Sequence, residues 1–379
     1  MSHPLVNRSR ILFLYSDTGG GHRSAAEAVL EALHRQYGDR IQTTMVDIFK
    51  EYAPRPLNRM PEWYPIMVRV PQAWGLGYRL SDGRYRSRLL TDTTWLYVRR
   101  NAQALVEQNP ADLIASFHPL ANSPALRVLK GARPPYVTVV TDLVTGHTLW
   151  YDRRVDLCIV PTELAYLRAV EAGMKPEQLQ VIGLPVAERF CQPLGEKDTL
   201  RQHLGWRSDL LIVLLMGGGE GMGPMEKIAY AIDAAQLPIG LVIVTGRNAK
   251  LEERLRAYEW RTPTWIYGFV REMPQFMHAA DILLTKAGPS TICEAFIAGL
   301  PMILYSRLPG QEDGNVHYVT SHAAGIWAPR PERVIVALKE WIEQPQKRMQ
   351  AAEACRRLAR PQAAQQIAQI LAAKIGVES

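Results

Sequence analysis

The stretch LLIVLLMGGGEGMGPMEKIAYAIDAA (210–235) decides the fold. An uninterrupted aliphatic run ends in three glycines, and good helix formers begin just after Pro224. Such a run, bounded by glycine, predicts a strand buried on both faces, as in parallel sheets. The same grammar occurs near the start of the chain, in ILFLYSDTGGGHRSAAEAVLEAL (11–33). There ILFLY is the strand, Gly19 to Gly21 the turn, and the helix that follows lines up Ala26, Val29, Leu30 and Leu33 on one face.

Working outward, each half continues as strand then helix. IQTTMVDI (41–48), ADLIASFH (111–118), YVTVVTD (136–142), DLCIVP (156–161) and LQVIG (179–183) are the further strands of the first half. IGLVIVTG (239–246), TWIYG (264–268), ADILLTKAG (280–288) and LPMILYS (300–306) belong to the second. Pro289 is placed to open a helix, and amphipathic helices fill the chain from Pro331. The expected class is α/β, with two doubly wound, Rossmann-like parallel sheets facing a central cleft. The expected domains are 1–190 and 191–345, with 346–379 as helices packing back towards the first. Ligands of such sheets bind at the carboxyl ends of the strands.

The bulk numbers narrow the class. The chain has 379 residues and a formal charge of +7, which suits two ordinary domains. No segment reaches the ~18 apolar residues of a membrane span, and Met1 to Arg10 reads as too short and polar for a signal or transit peptide. Cys158, Cys191, Cys293 and Cys355 are scattered, as reduced core thiols would be. The basic charge concentrates between Arg55 and Arg88, where seven arginines face only Glu62 and Asp82. Trp63, Tyr64, Trp74, Tyr78 and Tyr85 interleave with them. This mixture suits a phospholipid headgroup layer or stacked single strands of nucleic acid, and equally a plain loop packed on the core.

A glycine turn at a helix N-terminus leaves backbone N–H groups free and aims the positive end of the dipole outward, which makes an anion site. The chain has three candidates: Gly19–Gly21, Gly217–Gly219 and AGPST (287–291). None fits G-x-G-x-x-G, and none carries the GK[ST] of a P-loop. A nucleoside diphosphate held mainly by the second half remains. Ser290 and Thr291 lie in a first helical turn, where hydroxyls and amides grip phosphate. Glu294 follows one turn later, placed to accept both hydrogens of a ribose diol.

SDTGGGHR, SFHPL, VTDLVTGHTLWYD, VIGLPV, LLMGGGEGMGP, TGRN, KAGPSTICEA, GLPMILYS and PGQEDGNV resemble, in order, the motifs of the monogalactosyldiacylglycerol synthases. The similarity runs from near residue 11 to near residue 370. It implies a two-lobed GT-B glycosyltransferase of family 28, moving a hexose, galactose before glucose, from a UDP-sugar to the 3-hydroxyl of diacylglycerol. Carried over residue by residue, it implies His22 as catalytic base. Gly217, Gly218, Gly219, Gly288, Pro289, Ser290 and Thr291 become diphosphate contacts, and Glu294 the ribose carboxylate. Gln311, Glu312 and Asn315 become sugar contacts, and the loop with Phe269 and Val270 the uracil site. Two departures bear on the choice of sugar: Ser290 and Asp313 stand where plant members carry small residues.

The chemistry agrees. The helix terminus favours a neutral His22 imidazole, which accepts the lipid hydroxyl's proton during inverting attack. Gly20 and Gly21 leave room for acceptor and sugar. Arg247 or Lys286 is expected to aid the helix ends in stabilising the diphosphate. The fourteen aspartates include no D-x-D pair, so no cofactor or obligatory metal is expected. His118, Asp142 and His147 either shape the acceptor pocket or bond structurally. Trp63, Tyr64, Arg69, Trp74, Arg79 and Arg84 become contacts to an anionic membrane surface, on its cytoplasmic face, with no nucleic-acid partner. UDP-glucose as donor, a polyprenyl-linked acceptor and a UDP-sugar epimerase are the alternatives; an epimerase has no use for the arginine–aromatic segment.

Overall fold

The computed structural model describes residues 8–68 and 70–378. The chain forms two compact units. One takes the chain up to Glu188, with Pro309–Gln311 and the stretch from Pro361 onward; the other takes Arg189–Leu308 and Glu312–Arg360.

In order, the first unit has β1 (Ser9–Tyr15), α1 (Gly21–Tyr37), β2 (Ile41–Asp47), α2 (Met60–Met67), α3 (Pro71–Ser81) and α4 (Arg84–Gln108). It continues with β3 (Leu113–Ser116), α5 (Pro119–Val128), β4 (Tyr136–Val139), β5 (Leu157–Val160), α6 (Glu163–Glu171) and β6 (Leu179–Val181). All six strands are parallel, in the order β2-β1-β3-β4-β5-β6. Each face of this sheet is covered. On one, Ala26, Val29 and Leu33 of α1 pack with Phe13 and Ile159. On the other, α4, α5 and α6 bury Leu105, Ala125 and Ala165.

The second unit repeats the plan with α7 (Lys197–Leu204), β7 (Leu211–Met216), α8 (Met225–Ala235), β8 (Ile239–Val244), α9 (Ala249–Arg256), β9 (Thr264–Tyr267) and α10 (Met273–Ala279). Then come β10 (Ile282–Lys286), α11 (Pro289–Ala298), β11 (Met302–Ser306), α12 (Asp313–Ser321), β12 (Gly325–Trp327), α13 (Pro331–Glu343) and α14 (Pro345–Leu358). Its parallel order is β12-β11-β10-β7-β8-β9. The winding reverses beside β1 in one sheet and beside β7 in the other, so the loops after β1, β3, β7 and β10 open at the switch points where α/β sheets bind ligands.

Three expectations change. The arginine–aromatic segment is not an irregular loop: proline at N1 or N2 opens α2 and α3, and α4 runs for 25 residues. The tail divides, because α14 stays with the second unit. Only α15 (Ala363–Lys374) joins the first, where Ile367 and Leu371 enter the core beside α1. Residues 309–311, expected wholly in the second half, pack with the first unit. There a Cβ on Gly75 of α3 would lie 2.7 Å from Pro309.

Candidate active site

The loop after β1 is built by sterics. Gly19 and Gly20 have φ of +81° and +77°, a left-handed backbone that L side chains resist. A Cβ on Gly19 would come within 2.8 Å of the Tyr64 ring. Gly20 caps α1, so His22 stands in that helix's first turn.

His22 is half-buried among three side chains. Thr141 Oγ1 is 2.7 Å from its Nδ1, the His118 ring meets it edge-on at 4.6 Å, and Trp150 lies at 5.8 Å. Burial pushes its pKa down to about 4, against the pull of the Phe117 carbonyl. The ring is therefore neutral near pH 7, by desolvation foremost, where the sequence had suggested the helix dipole.

The other first-unit candidates have structural partners. His118 caps α5, its Nδ1 accepting from Leu120 N at 3.3 Å, while Nε2 lies 3.4 Å from Thr18 Oγ1. Burial, then its neighbour His22, holds its pKa well below the usual histidine value. His147 accepts from Leu149 N at 3.1 Å and meets Ser81 Oγ at 3.1 Å, with Tyr78 packed on its ring. Asp142 accepts from Trp150 Nε1 at 2.7 Å and from the Gln311 amide at 3.1 Å. Gln311, expected at the donor sugar, thus shares a carboxylate of the first unit. Its Oε1 is buried without a partner.

In the second unit the Gly217–Gly223 loop is folded so tightly that its own backbone fills the space. A Cβ on Gly246, where φ is +60°, would lie 2.3 Å from Gly219 O. Arg247 lies above this turn, 2.7 Å from Glu220 and 5.4 Å over the exposed Phe269 ring. Gly219, Arg247 and Phe269 are thereby gathered, with Val270 next along the chain. At the β10 end, Gly288 caps α11 and Pro289 is its first residue, with no side-chain cap on this terminus. Ser290, Thr291 and Glu294 follow, all half-buried. Burial raises the Glu294 carboxyl to about 7, opposed by Arg189. Lys286 is committed to Glu312 at 2.6 Å, a pair with side chains 14% and 3% exposed, and Glu312 also accepts from Leu308 N at 2.7 Å. Neither is a free group awaiting ligand. Asn315 donates to Ala287 O at 2.9 Å, bracing the loop before Gly288, and leaves its Oδ1 buried without a partner.

The membrane-contact residues divide. Trp63, Arg79 and Arg84 are exposed. Tyr64 and Trp74 instead are half-buried, rings edge-to-face at 5.5 Å, because Tyr64 covers Gly19. Arg69 lies outside the described residues. Tyr85, one of the aromatics interleaved with the arginines, is 87% exposed; sequence reasoning missed Ile66, Leu76, Leu80 and Leu96, which carry the rest of the outward apolar surface, Leu80 being 61% exposed. It also missed Thr141, although the adjoining Asp142 was singled out; the signal was its place at the carboxyl end of β4. Among the described residues no cluster of three acidic, histidine or cysteine side chains is disposed to hold a metal, and no helix is long and apolar enough to cross a membrane.

The chain has relatives among known proteins. Residues 22–186 match the monogalactosyldiacylglycerol synthase family model, and residues 212–367 the glycosyltransferase family 28 C-terminal domain. The chain is 37% identical over 368 residues to monogalactosyldiacylglycerol synthase 1, chloroplastic, of Arabidopsis thaliana, covering 93% of this chain and 69% of that protein. Among solved structures, MurG of Acinetobacter baumannii superposes with a TM-score of 0.66 at 17% identity, covering 96% of this chain and 99% of that one. Anabaena HepE, in complex with UDP and glucose, gives 0.58 at 17% identity, covering 97% and 100%. The fold is that of the GT-B glycosyltransferases. On its matched domains and its likeness to the Arabidopsis enzyme, the chain belongs to the monogalactosyldiacylglycerol synthase family.

Proposed function

We propose that this protein transfers galactose from UDP-galactose to the 3-hydroxyl of 1,2-diacylglycerol, with inversion, and that His22 is the general base. Family membership supports the substrates. The observation that carries the mechanism is the neutral His22 ring in the opening turn of α1, beside two left-handed glycines. The bond between the sugar's C1 and the β-phosphate oxygen breaks as the lipid oxygen bonds to C1. The lipid proton passes to the imidazole, and UDP leaves as the anion. Its charge is met by amides at the start of α11 and in the Gly217–Gly219 turn, with Arg247 swinging from Glu220. That scheme needs no metal, and a chelator should leave turnover intact. Glu294 holds the ribose, and the Phe269–Val270 loop the uracil.

Diacylglycerol stays in its bilayer, so the enzyme works as a peripheral protein, docked at the cytoplasmic face. The exposed Ile66, Leu76, Leu80 and Tyr85 enter the interface, and Arg79 and Arg84 meet anionic headgroups. The test is incubation of purified protein with UDP-galactose or UDP-glucose and diacylglycerol liposomes, followed by identification of the glycolipid and its linkage. β-Galactosyl diacylglycerol is expected. A glucolipid would reassign the donor, and transfer only to a polyprenyl phosphate would reassign the acceptor.

A further inference from the structure

The first unit holds an apolar cavity of about 290 Å³ between the segment following β2, helix α4 and helix α5. Phe49, Met60, Trp95, Val98, Leu120 and Pro124 are among its walls. An apolar concavity of this size lies close to the lower end of the volumes that ligand pockets have, roughly 300 Å³. At roughly 30 Å³ for a group the size of a water, it has room for about ten methylenes.

Its position relates it to the chemistry. Phe49 in its wall meets the His118 ring edge-on at 5.5 Å, and His118 in turn meets His22 at 4.6 Å. One histidine therefore separates the cavity from the proposed base. Leu90 and Leu120 both line the cavity and remain 38% exposed, so it opens to the outside at these residues. Leu120 is two residues past His118, and its backbone N–H donates to the His118 ring. Leu90 lies on α4, whose outward Leu89 and Leu96 continue the apolar surface.

We propose that this cavity receives one acyl chain of the diacylglycerol acceptor, the other chain staying with the bilayer; this rests on the function proposed above. Lifting one chain out of the membrane anchors the glycerol and carries its free hydroxyl towards His22. The enzyme thereby gains a preference for acceptors whose chain fills the space.

Two narrowing variants test it, Thr94→Phe and Ala102→Leu, both at residues lining the cavity. With dioleoylglycerol in mixed micelles, kcat/KM should fall roughly tenfold or more, the scale of a steric misfit in an apolar pocket. With dibutanoylglycerol, and for UDP binding, both variants should match wild type. Equal loss on both acceptors, or no loss on either, overturns the proposal while leaving the transferase reading standing. Wild type that makes no glycolipid from either acceptor overturns both. Should a variant fail to fold, wild type and Trp95→Phe decide the matter. A brominated dioctanoylglycerol below its micelle concentration should quench a fluorescence component that the Trp95→Phe protein lacks. Identical quenching in both proteins overturns the proposal.

Discussion

Thr141 Oγ1 lies 2.7 Å from Nδ1 of His22, joining the end of β4 to the first turn of α1. No carboxylate takes this place. Asp142, next to Thr141 in the chain, is bonded to Trp150 and Gln311. An imidazole oriented by a neutral hydroxyl gains no ion-pair stabilisation as it takes up a proton, and burial holds its pKa low against the Phe117 carbonyl.

Thr141→Val should therefore reduce kcat by about tenfold, the worth of one neutral hydrogen bond, and leave UDP affinity unchanged. Thr141→Ser should restore most of the rate. Single-turnover kinetics checks this; a Val variant with wild-type kcat would show that Thr141 orients nothing.

The depressed His22 pKa also fixes a pH dependence of stability. Below about 6.5 the unfolded chain protonates this ring, while the native state resists until pH approaches 4. Stability should thus decline as pH falls from ~6.5 to ~4, by up to about 3 kcal/mol from this group, and His22→Asn should flatten the slope. Urea denaturation at a series of pH values measures it.

Glu294 supplies the opposite case. Its carboxyl is raised to about 7, and the ribose diol favours the carboxylate. UDP affinity should rise with pH through 7 as the group ionises, with proton release on binding near neutrality. Calorimetry in buffers of different ionisation enthalpy counts the proton. Glu294→Gln should bind UDP more weakly and lose this share of the release; an unchanged proton count would remove Glu294 from the site.

The turn carrying Arg247 leaves Gly246 no room. Gly246→Ala puts a methyl 2.3 Å from Gly219 O at a positive φ. UDP affinity should drop on the order of tenfold or more, as strain of about 1–3 kcal/mol displaces the loop. Calorimetry that finds wild-type affinity would mean that this turn does not touch UDP.

The sheets were legible because their strands are short aliphatic runs ended by glycine or a polar residue, and that pattern is local. Helices α2 to α4 were not. In α4 the apolar residues are spread around the helix, which leaves no clear stripe to read, and Ile66, Leu80 and Leu96 stay exposed where a core-facing pattern would bury them. The geometry of the candidate site was legible where the backbone decides it, in the glycine turns and helix starts at Gly19–His22, Gly217–Gly219 and Gly288–Thr291. It was illegible where one side chain answers another far along the chain. Tyr64 turns inward to cover Gly19, Gln311 joins Asp142, and Thr141 rather than its neighbour reaches His22. Such pairings belong to tertiary packing, which no local spacing encodes.

The most direct test of the account compares wild type with His22→Ala, using UDP-galactose, diacylglycerol liposomes and a parallel titration with UDP. Wild type should make β-galactosyl diacylglycerol, and the variant should bind UDP normally while turning over about 10²–10⁴-fold more slowly. Near-normal turnover by His22→Ala would contradict it.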